Sequence, residues 1–239
     1  MNDSTPLKTA LVTGANKGIG KEIARQLVAA GLTVYVGSRD PGRGQRTVDE
    51  LGDRARLLVL DVTSTDSIAK AAAEVDSLDV LINNAGISPE LTAAEDTDVD
   101  TFRRTYETNV FGVLAVTNAF LPVLRRSEHP RIVNISSGTG SLTDSSGANP
   151  AFTTGTGAAY RSSKAALNAL TIFYANSLGD PFKVNALAPG LRRTDLNDRA
   201  AAAGGDPGEG AAGAVRLALL ADDGPTGTFS SWDGTPVPW

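Results

Sequence analysis

Tyr160 and Lys164, four positions apart, carry the sharpest chemical signal in the sequence. A phenol ionises near pH 10 in water. An ammonium one helical turn away on the same face favours the phenolate and brings the proton towards the range in which it can be exchanged. Such a pair suits general acid–base work. A second signal is Thr13-Gly14-Ala15-Asn16-Lys17-Gly18-Ile19-Gly20, which follows an apolar β-branched run and opens into a helical pattern. Gly14 permits a tight turn, Gly18 lets the backbone approach a pyrophosphate at the helix N-terminus, and Gly20 permits close helix packing. Glycines alone are weak evidence; the order strand, turn, helix gives them weight. Taken singly, Tyr160 and Lys164 can be two residues sharing a helix face, Ser137 a loop hydroxyl and Asn83 a strand-end turn.

The composition narrows the chemistry. The 239 residues include no cysteine, which removes disulfides, thiolate nucleophiles and thiolate metal sites and fits a reducing, cytoplasmic setting. The one histidine, His129, stands in the polar stretch Ser127-Glu128-His129-Pro130 and reads as a solvated turn side chain, so neither a Ser-His-Asp triad nor a metal site is expected. A formal net charge of −5 without clustered Lys or Arg argues against a nucleic-acid surface. Met1 to Pro6 lacks the basic and apolar segments of a signal peptide, and no apolar run approaches the ~20 residues of a membrane span. No membrane partner is expected, and a small-molecule ligand remains.

To position these groups the chain must alternate strands and helices. Short runs at Thr9–Thr13, Thr33–Val36, Arg56–Leu60, Val80–Asn83, Arg131–Ser136 and Lys183–Ala188 are apolar almost throughout, as strands buried on both faces are. Helical patterns lie at Gly18–Ala30, Arg43–Leu51, Thr65–Val75, Val99–Arg126, Gly157–Leu178 and Gly210–Ala221, with Gly31 and Gly52 as stop signals and Pro122 expected to kink the fourth. A weaker strand, Gly227–Phe229, precedes a turn-rich tail. The alternation predicts a single α/β domain over 1–239, of the Rossmann type, doubly wound, with a central parallel sheet of about seven strands. Two stretches rich in small residues, Gly138–Thr156 and Asp195–Gly210, follow strand ends, where an open α/β sheet binds its ligand; substrate loops are expected over 138–157 and 191–210. Ala200–Ala203 among its glycines reads either as a mobile lid or as a plain disordered connector.

Further residues fall in a fixed order along these elements: Asn83-Asn84-Ala85-Gly86 after the fourth strand, Asn109 in the long helix, Ser136-Ser137 after the fifth, Tyr160-x-x-x-Lys164, and Pro189-Gly190 after the sixth. With the first turn spaced G-x-x-x-G-x-G, this ordered set resembles the short-chain dehydrogenase/reductase family over nearly the whole chain. The resemblance implies a catalytic set of Asn109, Ser137, Tyr160 and Lys164 that reduces a ketone or aldehyde to an alcohol, or the reverse. In it Tyr160 gives or takes the proton and Ser137 hydrogen-bonds the substrate oxygen. Lys164 also binds the nicotinamide ribose hydroxyls, and Asn109 anchors a water that links Lys164 to solvent. A dinucleotide would lie against Gly14, Asn16, Lys17, Gly18 and Ile19 of the first turn, Asp61 and Val62 at the adenine, Asn83, Ala85 and Gly86 after the fourth strand, and Pro189, Gly190, Leu191 and Thr194 at the nicotinamide. Asp61 can equally be a helix cap or a strand-end turn.

Cofactor choice turns on the end of the second strand. NAD users of the family carry an acidic residue there, whereas this chain has Gly37-Ser38-Arg39. A hydroxyl and a guanidinium suit the 2′-phosphate of NADP(H), and Lys17 resembles the second basic residue of the family's NADP users. Asp40, one position later, is the counter-signal and could still contact a ribose. The stretch from Ser137 to Tyr160 is longer than in many members, which resembles the carbonyl reductase-like branch and favours a monomer or homodimer over a tetramer. Arg192 and Arg193 stand where the related pattern usually has at least one apolar residue. The expected activity is NADPH-dependent reduction of a small-molecule carbonyl compound. The alternatives are an NAD-linked alcohol dehydrogenase working in oxidation and a non-catalytic NADP-binding or sensing protein, against which the complete catalytic set speaks.

Overall fold

The computed structural model describes residues 8–89 and 91–239; Met1 to Pro6, read above for a signal sequence, lie outside them. Strands β1 (Thr9–Val12), β2 (Thr33–Ser38), β3 (Ala55–Val59), β4 (Val80–Asn83), β5 (Arg131–Ile135), β6 (Lys183–Ala188) and β7 (Phe229–Ser231) form one sheet in the order β3-β2-β1-β4-β5-β6-β7. Every neighbouring pair is parallel, so each return must cross a face of the sheet. The connections carry α1 (Gly18–Ala29), α2 (Pro41–Leu51), α3 (Thr65–Ala73), α4 (Val99–Tyr106), α5 (Gly112–Leu124), α6 (Ala158–Leu178), α7 (Asp198–Ala203) and α8 (Pro207–Ala218).

Successive strand residues face opposite layers. Val80 and Ile82 pack with Ile23 and Leu27 of α1 and Ala214 of α8, while Leu81 between them packs with Ile68 of α3 and Val116 and Phe120 of α5. Both faces of the sheet are therefore covered, and this is why the strand segments read as continuous apolar runs.

Three expectations are corrected. The segment Val99–Arg126 is not one α-helix: Glu107–Phe111 takes the wider π turn between α4 and α5, so the irregularity falls around Asn109, and Pro122 sits inside α5. One π turn inserts a single extra residue, too small a change of period to mark the sequence. The continuous helical stretch 99–124 is long and apolar enough to cross a membrane by length and composition; its apolar side, with Val116, Phe120 and Leu124 fully buried, packs on the sheet. Second, 195–210, expected without regular structure of its own, contains the short helix α7. Asn197 caps α7 through Ala200 N–H (2.9 Å), Gly205 N–H donates to Leu191 O (3.0 Å) and Arg193 N–H to Gly205 O (2.8 Å), closing the loop on itself. Third, α2 and α8 begin earlier than expected, each with an aspartate cap, Asp40 or Asp206, and a proline in the first turn.

From β1 the chain winds outward to β3, then returns to lay β4 on the other side of β1. The turns leaving β1 and β4 thus diverge and open a crevice at the carboxyl ends of the strands.

Candidate active site

A cavity of about 480 Å³ occupies that crevice. The glycine turn forms its floor, with Gly14 and Gly18 at φ of +63° and +55°, a left-handed conformation costly for any other residue. A Cβ on Gly20 would stand 2.6 Å from Gly14 O and 3.1 Å from Ala15 Cα, so only glycine lets α1 start this close under the turn. Asn84 fastens the turn to the exit of β4. Its Nδ2 donates to Thr13 O (2.9 Å) and Gly14 O (3.2 Å), while Thr13 Oγ1 accepts from the N–H groups of Asn84 and Ala85, each at 3.0 Å.

Of the residues expected at a dinucleotide, Gly14, Lys17, Gly18, Ile19, Arg39, Asp61, Val62, Ala85, Gly86, Tyr160, Lys164, Pro189 and Thr194 border this cavity. Asp61 makes a strand-end turn at the cavity wall. It lines the cavity and accepts from Thr63 N–H (3.0 Å) and Thr63 Oγ1 (2.7 Å) in the turn after β3. Burial pushes its pKa up, but those hydrogen bonds and the Arg39 charge outweigh burial and hold it below the usual value. Lys17 Nζ pairs with Asp195 Oδ2 at 2.5 Å, so its ammonium reaches towards the loop after β6.

Other expectations shift. Asn83 does not face the cavity: its Nδ2 donates to Asn134 Oδ1 (2.9 Å) and Thr117 Oγ1 (3.1 Å) inside the core, and Asn84 takes its place at the site. The doublet was visible in sequence, but which amide points outward depends on strand register. Ser38 is buried and donates to Asp40 O (2.8 Å), and the Asp40 carboxylate caps α2 by accepting from Arg43 N–H (3.0 Å), so neither lines the cavity. Asn16 lies in the glycine turn with its carbonyl accepting from Thr47 Oγ1 (3.3 Å), outside the lining. Gly190 and Leu191 border a second cavity instead. Ile87, Ser88, Thr63 and Thr108 border the first without having been singled out. His129 is partly exposed at the opposite, amino end of β5, with Nδ1 2.8 Å from Asp222 Oδ1.

Tyr160 stands in the first turn of α6, half-buried, where the two cavities meet; Ser137, just beyond β5, lines only the second, of about 410 Å³. The Ser137 hydroxyl acts on the Tyr160 phenol, opposing the rise of its pKa, and Ser137 Oγ is 2.9 Å from Thr139 Oγ1. One turn along α6, Lys164 is buried, donates from Nζ to Ile135 O (2.8 Å) and lies 5.7 Å from the centre of the Tyr160 ring. Burial dominates both ionisations. It raises the Tyr160 phenol, with the Ser137 hydroxyl opposing, and lowers the Lys164 ammonium to about 8. The expected depression of the phenol by its ammonium neighbour is therefore reversed in the protein alone.

Asn109 is fully buried behind Gly86. Its amide accepts from Ile87 N–H (2.9 Å) and donates to Ile87 O (2.9 Å) and Ser163 Oγ (3.0 Å). Its side-chain amide joins the turn after β4 to α6.

The chain matches the family described as short chain dehydrogenase over residues 8–204. It belongs to the short-chain dehydrogenase/reductase family. Salutaridine reductase of Papaver bracteatum is 33% identical, with 95% of each chain aligned, and (+)-neomenthol dehydrogenase of Arabidopsis thaliana is 34% identical over 97% of this chain and 98% of the relative. Among solved structures, NADPH-bound carbonyl reductase from chicken fatty liver superposes with a TM-score of 0.83 at 30% identity, covering 98% of this chain and 99% of the other. As a short-chain dehydrogenase the chain is an NAD(P)-dependent oxidoreductase. The glycine turn, the open helix N-terminus and the Arg39 guanidinium at the far end of the first cavity fit such a dinucleotide.

Proposed function

We propose that this short-chain dehydrogenase reduces a ketone or aldehyde to the alcohol with NADPH, and that Tyr160 is the proton donor. The observation that carries the reading is the place of Tyr160 on the border of both cavities, with Ser137 facing the second cavity alone. A bound nicotinamide supplies the hydride to the carbonyl carbon. Ser137 holds the substrate oxygen, and Tyr160 passes its O–H proton to that oxygen as the C=O double bond is lost. A phenol whose pKa is raised by burial is fully protonated at neutral pH, the form a reduction needs. In this reading Lys164, whose Nζ lies 5.7 Å from the centre of the Tyr160 ring, serves the ribose hydroxyls and lends its charge to Tyr160, and a Cβ on Gly86 would stand 3.5 Å from that Nζ.

Arg39 supports NADPH over NADH, since a guanidinium at the cavity wall can pair bidentately with a 2′-phosphate. The second basic group of the expectation, Lys17, is drawn to Asp195, so Arg39 carries most of the preference. The test is NADPH oxidation against a panel of ketones, aldehydes and quinones, repeated with NADH. Turnover with NADPH in clear excess over NADH is expected. Dinucleotide binding without turnover anywhere in the panel would favour the sensing protein, and preferential NAD-linked alcohol oxidation would favour the dehydrogenase alternative.

A further inference from the structure

Three arginines line the second cavity, Arg161, Arg192 and Arg199, against one lining carboxylate among the described residues, Asp144. Their situations differ. Arg192 is almost wholly buried, with its guanidinium 4.4 Å from the centre of the Trp232 ring, Nε donating to Pro189 O (2.6 Å), and Nη1 on the Glu209 carboxylate. Its Nη2 makes no hydrogen bond among the described residues. Arg161 holds the long loop before α6 through Thr154 O (2.7 Å), Thr154 Oγ1 (3.0 Å), Ser145 Oγ (2.9 Å) and Phe152 O. All four acceptors are neutral, so its charge is not cancelled by them. Arg199, on α7, is exposed and belongs to no ion pair among the described residues. The rest of the wall is largely apolar, from Leu91, Phe152, Leu191, Leu196, Trp232 and Val237.

With Arg192 paired to Glu209, Arg161 and Arg199 still outnumber Asp144 among the charged lining residues, a local excess of positive charge in a chain of net charge −5. We propose that the second cavity takes a carbonyl compound with an apolar body and a carboxylate, its carbonyl at Ser137 and Tyr160 and its carboxylate received by Arg199, with Arg192 Nη2 as the inner donor. This rests on the carbonyl-reductase reading. It makes Arg192, unexpected in sequence, part of the wall that selects the substrate, and it disfavours cationic ketones in this cavity.

The test compares benzoylpropionate with its methyl ester in NADPH-dependent kcat/KM, for the wild type and Arg199→Glu. The acid is expected to be preferred roughly tenfold, as a charge-assisted hydrogen bond gives. The preference should shrink with added salt and be lost or inverted in Arg199→Glu. A second readout needs no turnover: both tryptophans, Trp232 and Trp239, lie in the segment beside this cavity, and Trp232 lines it. Phenylbutyrate should perturb their fluorescence at lower concentration than its methyl ester, and less readily in Arg199→Glu. Turnover of both ketones without preference for the acid would overturn this inference and leave the carbonyl-reductase reading standing. Arg199-dependent carboxylate binding without turnover would do the opposite. Equal binding of acid and ester, unaltered by charge reversal, would overturn the carboxylate site in either case.

Discussion

Lys164 is an ammonium held out of water, and its consequences for pH dependence have a definite sign. Burial lowers its pKa from 10.5 to about 8, so the charged form dominates below that value and is lost as pH rises through it. If the charge supports Tyr160 and the ribose, reductive kcat/KM, which reports the free enzyme, should fall above about pH 8. Lys164→Arg, which stays charged, should move that fall to higher pH; a profile flat to pH 10 in the wild type would refute the link. The same shift bears on stability. Between about pH 8 and 10.5 the unfolded chain binds the extra proton, so a protonated Lys164 costs folding free energy at pH 7, by up to about 3 kcal/mol. Lys164→Met should therefore raise the urea midpoint at pH 7 while abolishing turnover, with its advantage fading as pH approaches 10.5. Ser137→Ala should lower kcat/KM and leave NADPH affinity nearly unchanged, since Ser137 borders the second cavity and not the first. The identities of these residues were legible from their order along the chain. The direction of the phenol shift was not, because it depends on how deeply α6 packs, and spacing alone does not carry depth.

Neighbouring residues on one element can have separate duties, as the exit of β2 shows. Arg39 borders the dinucleotide cavity, whereas Asp40 turns its carboxylate to the start of α2. Arg39→Asp should cut the NADPH/NADH ratio of kcat/KM roughly ten- to a hundredfold. Asp40→Ala should leave that ratio alone and lower the urea midpoint modestly through loss of a helix cap. A ratio altered equally by both substitutions would return Asp40 to the ribose. On α6, one turn past Lys164, buried Asn168 accepts from Ser136 Oγ (2.6 Å) and donates to Gly140 O (3.3 Å), tying the turn that carries Ser137 to the helix that carries Tyr160. Strands were easy to read because both faces are buried and each run is apolar. The π turn at Glu107–Phe111 and the six-residue α7 were missed, the first because it barely alters the period, the second because alanines among glycines carry no periodic signal.

At the scale of the molecule, the order β3-β2-β1-β4-β5-β6-β7 puts the divergence of the chain between β1 and β4, and the residues singled out in sequence converge there from segments far apart in the chain. That convergence was foreseeable from the alternation of strands and helices. The division of the site into two cavities sharing Tyr160 was not, since it arises from loops 138–157 and 191–210 folding over the strand ends. The most direct test of the account is Tyr160→Phe, which removes the proton donor and keeps the ring. With a carbonyl substrate that the wild type reduces, the expected result is a loss of about 10²–10⁴-fold in kcat with NADPH affinity largely retained. A variant that still turns over at a near-normal rate would contradict the assignment of Tyr160 as the acid, and with it the proposed mechanism.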